Sequence, residues 1–263
     1  MQLEGEIPHM TEKIGKVTLD LSLYPGEDFY CDGTVEDEIL EIVKNHPREE
    51  YQKKIEEKRS WPVFYHLSPQ RENIVSWLPM DKNTKILEVG SGMGAITGVL
   101  AEKAGSVTCV DLSKKRSTIN AYRNQERDNV TIHVGNFNDI EPTLPCDFDY
   151  VLLIGVFEYG QSYIPTETPF EDFMKINLRH VKSGGNLVIA GCPFCAGAGA
   201  GGADRMAVYC HNERFLAMEE LVPLHRAMTQ PNVSELAYDS VYMANVSELE
   251  MFYKQTIRYV DGI

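Results

Sequence analysis

The sequence predicts an α/β fold built on a doubly wound, mostly parallel sheet with an N-terminal helical cap. Two patterns predict this fold class. Between residues 85 and 190, short apolar runs alternate with amphipathic segments, as they do in βαβ units. Within that stretch, the glycine-rich segment KILEVGSGMGAITGVLA joins an apolar run directly to a helical pattern. The 263 residues, 43% of them hydrophobic, suffice for one domain with an accessory piece.

The region before residue 65 is charged and irregular, and we predict that it is an accessory cap. Glu and Lys residues at helical spacing predict helices over 35–45 and 49–58. In the segment WPVFYHLSPQRENIVSWLP that follows, Ser68 is a candidate N-cap before a first-turn proline, which predicts a helix docked on the main domain. The predicted division is therefore a cap over 1–64 and a main domain over 65–263.

Five strands and three intervening helices are predicted in the main domain. The strands cover 85–89, 107–110, 130–134, 150–154 and 186–190; the helices cover 96–104, 114–126 and 170–181, the last closed by glycines in 183–185. Beyond residue 191 the pattern weakens, and this acceptor-side region is poorly defined. A helix is predicted over 213–221, and the runs 240–245 and 250–260 are candidates for a closing hairpin.

The glycine-rich segment is the strongest chemical signal. Gly90, Gly92 and Gly94 permit a tight turn that brings backbone amides close to a ligand at the start of a helix. Gly90, Gly92 and Ala95 also fit a dinucleotide-binding pattern, so an NAD(P)-dependent oxidoreductase is an alternative. Glu88 weighs against it, because an acid at the carboxyl end of a buried strand needs a polar function of its own.

Further polar residues follow the next strands. Asp111, at the tip of the second strand, can accept hydrogen bonds from both hydroxyls of a ribose; its alternative role is a helix N-cap. After the third strand, Asn136 can bind an adenine edge while Phe137 packs against the ring, and the fourth strand ends at Gly155. Ligands bind where such strand ends meet, so we expect these segments to converge.

The motifs LEVGSGMG, CVDLS, GNFND, FDYVLLIGVFEYG and HVKSGGNLVIA, in this order, resemble the class I S-adenosylmethionine-dependent methyltransferases over residues 65–190. The resemblance implies a Rossmann-like fold, S-adenosyl-L-methionine as cofactor and S-adenosyl-L-homocysteine as product. It assigns the glycine loop and Glu88 to the methionine part, Asp111 to the ribose, and Asn136 and Phe137 to the adenine. Many members carry Asp in place of Asn136, whose carbonyl oxygen can still accept from the adenine amine. The cofactor-binding set is completed by Tyr65, Ser91, Leu112 and Gly155.

Methyl transfer from a sulfonium is a direct displacement, so no fixed catalytic triad is expected. The catalytic candidates are Glu158, Tyr159 and His66. A plain loop role fits Glu158 and Tyr159 equally well, and packing is the favoured role of His66. The Asn/Asp-Pro-Pro-aromatic motif of enzymes that methylate base amines is absent after the fourth strand, where GVFEY stands. The resemblance thus favours an O or N acceptor in a small molecule, sugar or lipid.

Charge and cysteine content limit which partners and which cellular location the sequence predicts. The net charge of −14 makes nucleic acid an unlikely substrate, and scattered cysteines with no membrane-length apolar run or secretory signal predict a cytoplasmic protein. The spacing of Cys192, Cys195, Cys210 and His211 is compatible with zinc, yet plain thiols are favoured and no metal is predicted. We hypothesise a mobile lid over 196–204. Oligomeric state stays open, and a non-catalytic methyltransferase-like partner protein is a third reading.

Overall fold

The computed structural model describes residues 10–28, 31, 33–157, 169–191 and 207–212. Its strands are β1 (Thr11–Ile14), β2 (Val17–Asp20), β3 (Lys85–Val89), β4 (Ser106–Asp111), β5 (Val130–Val134), β6 (Phe148–Ile154), β7 (Val181–Gly191) and β8 (Ala207–Asn212). Its α-helices are α1 (Thr34–Asn45), α2 (Tyr51–Lys58), α3 (Trp61–Leu67), α4 (Thr97–Lys103), α5 (Lys114–Arg123), α6 (Phe137–Ile140) and α7 (Pro169–His180).

All eight strands form one sheet in the order β1-β2-β5-β4-β3-β6-β7-β8. The six strands from β2 to β7 are each parallel to their neighbours in this order, and β1 and β8 are antiparallel edge strands. The central strands are nearly continuous apolar runs because helices cover both faces of the sheet. This architecture confirms the predicted doubly wound, mostly parallel fold.

The N-terminal region contributes more than the predicted helices. β1 and β2 form a hairpin, and β2 pairs in parallel with β5, so this region extends the main sheet. The apolar alternation of Val17, Leu19 and Leu21, all buried, was the available signal for β2. The helices α1 and α2 lie where they were predicted, and the predicted boundary after residue 64 falls inside α3.

The segment after α3 differs from its prediction. Ser68 is an N-cap as expected, and its hydroxyl accepts a hydrogen bond from the Gln70 N–H at 3.3 Å. The element that it caps is a 3-10 helix over Pro69–Ile74, followed by turns, rather than one long helix. The segment still docks on the main domain, because its residues Ile74 and Leu78 are buried in the core.

One C-terminal prediction needs correction. Helix α7 ends at His180 and β7 begins at the next residue, so the glycines of 183–185 lie within a strand and do not cap a helix. Pairing of β7 with β6 shifts register between Phe148 and Tyr150, and Gly184 adopts a φ of +76° there. Strand β8 was not predicted. The elements predicted over 213–221, 240–245 and 250–260, and the lid over 196–204, lie outside the described residues. Within the described ranges, no helix is long and apolar enough to cross a membrane.

Candidate functional site

The carboxyl ends of four neighbouring strands lie along one edge of the sheet. Val89 of β3 pairs with Val110 of β4 on one side and Leu153 of β6 on the other, and Asp111 pairs with Val134 of β5. The glycine loop, Asp111, the start of α6 and the end of β6 therefore occupy adjacent positions. This is the crevice in which doubly wound sheets bind ligands.

The glycine loop requires its glycines for backbone conformation. Gly90, Gly92 and Gly94 have φ values of +71°, +52° and +73°, a region that other residues enter at a cost. A Cβ on Gly90 would lie 2.7 Å from Val156 Cγ2, whereas one on Gly92 would meet no atom within 4 Å. Gly155, which follows β6 and has a φ of +66°, likewise has no atom of the described residues within 4 Å of such a Cβ. Among the described residues there is thus room beside Gly92 in the loop and beside Gly155 at the end of β6.

The backbone amides of this loop are already used inside the protein. The N–H groups of Gly90 and Ser91 donate to Val110 O at 2.8 and 3.2 Å, and that of Gly94 donates to Ser91 O at 3.0 Å. The Gly92 N–H donates to Asp111 Oδ2 at 2.7 Å. All four of these N–H groups thus have acceptors within the protein, and the approach of loop amides to a ligand stays a prediction.

Glu88 is the end of a buried polar network beneath the loop. Its Oε2 accepts hydrogen bonds from Thr97 Oγ1 at 2.7 Å and from the Cys109 thiol at 3.5 Å. Asn120 Nδ2 donates in turn to Thr97 Oγ1 at 3.1 Å, and Asn124 Nδ2 donates to Asn120 Oδ1 at 2.8 Å. Burial raises the pKa of Glu88 to about 7, against the opposing effect of the hydrogen bonds from Thr97 and Cys109. The acid has the polar environment that its position in the strand required.

Asp111 joins the glycine loop to the start of α5. One carboxylate oxygen accepts from Gly92 as described, and the other accepts from the Ser113 N–H at 3.0 Å. Burial raises the pKa of Asp111, and these two backbone hydrogen bonds oppose that shift. The N-cap of α5 is Ser113, whose hydroxyl accepts from the Arg116 N–H at 3.2 Å. Asp111 is therefore not the cap, and each of its oxygens retains a lone pair for another donor.

A second carboxylate, which sequence reasoning missed, covers the N-terminus of α5. Asp28 Oδ1 accepts from the Lys114 N–H at 2.6 Å, and Oδ2 accepts from the Lys115 N–H and Ser113 Oγ, each at 3.0 Å. The two partners lie more than eighty residues apart in sequence, so no local pattern could reveal the contact. A negative charge here would repel the 2′-phosphate of NADP, which binds near the end of the second strand in dinucleotide-binding sheets.

Aromatic rings support the side of the crevice next to β5. The ring centroid of Phe137 lies 5.8 Å from that of Phe173 in an edge-to-face contact, and Phe173 stacks on Phe157 at 6.1 Å. Asn136 caps α6, because its Oδ1 accepts from the Asn138 N–H at 3.0 Å. The amide carbonyl that was expected to bind adenine thus already has one partner and one lone pair left. Leu112 is half-buried between β4 and α5.

Residues 65–74, which we call the entrance segment, run from the end of α3 through the following 3-10 helix. In this segment the ring centroids of Tyr65 and His66 are 4.9 Å apart. Burial, and then the charges of Arg71, Arg116 and Arg123, lower the pKa of His66 to about 3. An imidazole with this pKa is neutral at pH 7 and a weak base. The arrangement favours packing or hydrogen bonding over proton abstraction for His66.

Arg123, which the sequence did not single out, connects the entrance segment to the glycine loop. Its Nη1 donates to the carbonyl oxygens of His66 at 2.7 Å and Met93 at 2.9 Å. Burial lowers the pKa of Arg123 to about 10, so the guanidinium stays charged at neutral pH. The loop and the entrance segment are held as one unit.

Some predicted site residues lie outside the described part of the chain. Glu158 and Tyr159 are among them, as are Cys192 and Cys195. Cys210 and His211 lie in β8, opposite Val188 and Leu187 of β7. Among the residues that the structure describes, no group of three or more His, Cys, Asp or Glu side chains could hold a metal ion.

Comparison with known proteins agrees with this geometry. Residues 87–189 match the family described as a methyltransferase domain, a stretch that contains the loop, Asp111, Phe137 and Gly155 on the sheet described above. The matched range begins within β3 and ends within β7, and the hairpin β1–β2 lies outside it.

Curated relatives match short stretches only. The ribosomal RNA small subunit methyltransferase A of Treponema denticola is 46% identical over 44 residues, which are 17% of this chain and 15% of that protein. The protein of the same name from Streptococcus gordonii is 36% identical over 61 residues, which are 23% of this chain and 21% of that protein. Among solved structures, phosphoethanolamine N-methyltransferase 1 of Haemonchus contortus is similar at 19% identity and a TM-score of 0.45, covering 68% of this chain and 40% of that chain.

A second family match covers the C-terminal part of the chain. Residues 160–263 match the family described as a major capsid protein. This match overlaps the methyltransferase match over 160–189. Within the overlap, α7 and the first part of β7 belong to the methyltransferase architecture, because β7 pairs in parallel with β6.

Proposed function

We propose that this protein transfers a methyl group from S-adenosyl-L-methionine to an O or N atom of a small molecule, sugar or lipid and releases S-adenosyl-L-homocysteine. One observation carries the proposal. The open space at Gly92 and Gly155 lies at the same sheet edge as the buried carboxylate of Asp111 and the half-buried ring of Phe137. A hydrogen-bond acceptor for a ribose and an aromatic surface for a base are what an adenosyl group requires.

The residues present fit S-adenosyl-L-methionine. Asp111 has lone pairs left for ribose hydroxyls, with Leu112 beside it, and Phe137 offers a ring for the adenine. The hydroxyl of Ser91 is buried in the loop and has no hydrogen-bond partner among the described residues, so a ligand atom would satisfy it. Glu88 lies beneath the position proposed for the methionine part and supplies negative charge there when it is ionised. Tyr65, Asn136 and Gly155 complete the set as proposed contacts.

The cofactor supplies an electrophilic methyl group on a sulfonium. The work of the protein is to align the acceptor with that methyl and to exclude water. An amine acceptor needs little more than the loss of its proton before or after transfer, whereas a hydroxyl acceptor needs a base. His66 is too weak a base for that task, so Glu158 and Tyr159 remain the proposed catalytic residues.

The preference for a small acceptor is based on charge. A protein with a net charge of −14 repels a polyanion, and Asp28 adds a carboxylate next to the site. The similarity to ribosomal RNA methyltransferases covers 44 and 61 residues, less than the methyltransferase domain itself. Nucleic acid is the competing acceptor class that the experiment must exclude. We also propose a cytoplasmic location for the protein, as the sequence predicts.

The test is transfer of a tritiated methyl group from S-adenosyl-L-methionine to a panel of acceptors. The panel contains amines, sugars, lipid dispersions and small ribosomal subunits, with Asp111→Ala as the matched control. We expect label in one of the small acceptors and none with the variant. Label in ribosomal RNA alone would overturn the acceptor proposal but keep the reaction.

The C-terminal match favours a second candidate function, in assembly. Similarity of residues 160–263 to a major capsid protein family supports the reading of a non-catalytic methyltransferase-like protein that associates with other copies. Light scattering of the full chain tests it. A large, discrete particle with no methyl transfer to any acceptor would favour assembly over catalysis, and a small species that methylates an acceptor would exclude it.

A further inference from the structure

Arg71 is a buried cation with no counter-ion among the described residues. It lies in the 3-10 helix Pro69–Ile74 of the entrance segment and is 9% exposed. Its guanidinium stacks on the ring of Tyr65, 4.1 Å from the centroid. Its Nε is buried and has no hydrogen-bond partner among the described residues.

Other arginines in this part of the molecule are paired. Arg116 binds the fully buried Glu36 at 2.9 Å, and Arg48 binds Glu72. Arg123 donates to the two carbonyl oxygens already described. Removing a guanidinium from water without pairing it is costly, and buried charges in proteins are usually paired. An anion from outside the described residues would supply a partner for Arg71.

The position of Arg71 relates it to the cofactor crevice. Arg71 contacts Tyr65, and the next residue, His66, is joined to Met93 of the glycine loop through Arg123. The entrance segment and the loop also share one apolar cluster, which contains Leu67 and Met93. Arg71 therefore lies in a segment that is joined to the glycine loop, and it contacts Tyr65, a residue of the proposed cofactor-binding set.

The methionine part of the cofactor ends in a carboxylate, and the loop offers little to bind it. Four of the loop amides donate to protein acceptors. Glu88, the other residue assigned to the methionine part, is an acid and would repel a second carboxylate when ionised. A cation from outside the loop is needed, and a guanidinium binds carboxylates well because it presents two parallel donors.

We propose that Arg71 binds the carboxylate of the methionine part of S-adenosyl-L-methionine. The proposal rests on the proposed function, since it assigns a new residue to the same cofactor site. An anionic group of the methyl acceptor is the other possible source of a carboxylate or phosphate at this position. The two sources differ in which ligand loses affinity when Arg71 is replaced.

The experiment compares two ligands by calorimetry. S-adenosyl-L-homocysteine carries the carboxylate, and 5′-methylthioadenosine carries the adenosine and sulfur without the amino-acid group. We expect Arg71→Met to weaken S-adenosyl-L-homocysteine about 10- to 100-fold, the usual range for loss of a charge-assisted contact, and to leave 5′-methylthioadenosine unchanged. Arg71→Lys, which keeps the charge without the planar fork, should fall between Arg71→Met and the wild type.

Arg48→Met is the matched control, because it removes one guanidinium that is paired and part-exposed; both ligands should bind it as they bind the wild type. Unchanged binding of 5′-methylthioadenosine also shows that Arg71→Met is folded. Equal weakening of both ligands, or of neither, would overturn the proposal. Unchanged S-adenosyl-L-homocysteine binding with a raised acceptor KM would assign Arg71 to the acceptor. Failure of the wild type to bind either ligand would instead contradict the proposed function.

Discussion

The carboxyl group of Glu88 connects burial to pH dependence. Its pKa is raised from 4.5 to about 7 in the folded protein, so the unfolded chain loses this proton at lower pH than the folded one does. The free energy of unfolding contributed by this group therefore falls as pH rises from about 4.5 to 7 and is level above that. Glu88→Gln keeps an acceptor for Thr97 and cannot ionise.

We expect Glu88→Gln to remove that fall, so that above pH 7 the variant gains up to about 3 kcal/mol over the wild type. Urea unfolding at pH 5 and pH 8 measures it. Glu102→Gln, a change at an exposed residue, should follow the wild type at both values. A wild type whose stability does not change between the two would show that Glu88 is not the raised group.

Gly94 and Gly92 separate backbone strain from steric conflict. Both have positive φ, so alanine is strained at each by about 1 kcal/mol. The added Cβ meets open space at Gly92 but collides with the Asn120 side chain at Gly94, where the network to Glu88 begins. We expect Gly94→Ala to lower the free energy of unfolding clearly more than Gly92→Ala does. Equal losses of unfolding free energy in the two variants, measured by chemical unfolding, would mean that the hydrogen-bond network around Asn120 rearranges at no energetic cost.

For single residues, the sequence predicted which residues stand at the candidate site better than it predicted the groups that they contact. Asp111 and the three glycines stand at the expected strand tips because such loops need positive φ and small side chains. The donors used by Asp111, the position of Asp28 and the burial of Arg71 depend on contacts between distant segments. No spacing rule within one segment could have predicted them.

Among the elements, the attachment of α1 to α5 depends on one buried ion pair. Glu36 is fully buried and its Oε1 accepts from Arg116 Nε at 2.9 Å. Removal of one partner of a buried ion pair typically costs about 3–5 kcal/mol. We expect Glu36→Ala to lower the Tm by several degrees.

Asp37→Ala is the neighbouring control for that variant, since Asp37 pairs with Lys115 while 66% exposed. Exposed pairs contribute about 0–1 kcal/mol, so the Tm should change little. Calorimetric scans of both variants measure the difference. Similar Tm values for the two would show that the cap does not depend on the Glu36–Arg116 pair.

Elements were predictable where the pattern was long. β3 and β6 are nearly continuous apolar runs, β5 alternates apolar with polar residues, and each was predicted close to its observed bounds. β1 and β2 were missed because four residues each are too few for periodicity to establish. The glycines at the start of β7 resembled a helix end, although the register shift against β6 accommodates them in the strand.

For the whole molecule, net charge determines how nucleic acid should behave. With a formal charge of −14, we expect no measurable binding of a ribosomal RNA fragment at 150 mM salt in fluorescence anisotropy. Lower salt should strengthen any contact only weakly, because few phosphates would be neutralised. Micromolar affinity with a steep salt dependence would indicate a local basic surface and make ribosomal RNA the better acceptor candidate.

The fold of the described residues followed from the alternation of strands and helices, and the proposed reaction class followed from the family resemblance of motifs at the strand tips. The acceptor did not, because the residues that would define it lie after β6 and after β7, where neither periodicity nor a family motif was available. The second family match, over 160–263, also had no counterpart in the sequence patterns.

The proposed function requires the crevice beside Gly92 and Asp111 to bind an adenosyl cofactor. Calorimetric titration with S-adenosyl-L-methionine and S-adenosyl-L-homocysteine tests it most directly, with NADH as the competing ligand and Asp111→Ala as the comparison. We expect micromolar binding of both adenosyl ligands, its loss in the variant, and no binding of NADH. Binding of NADH alone would contradict the account and make the protein an oxidoreductase.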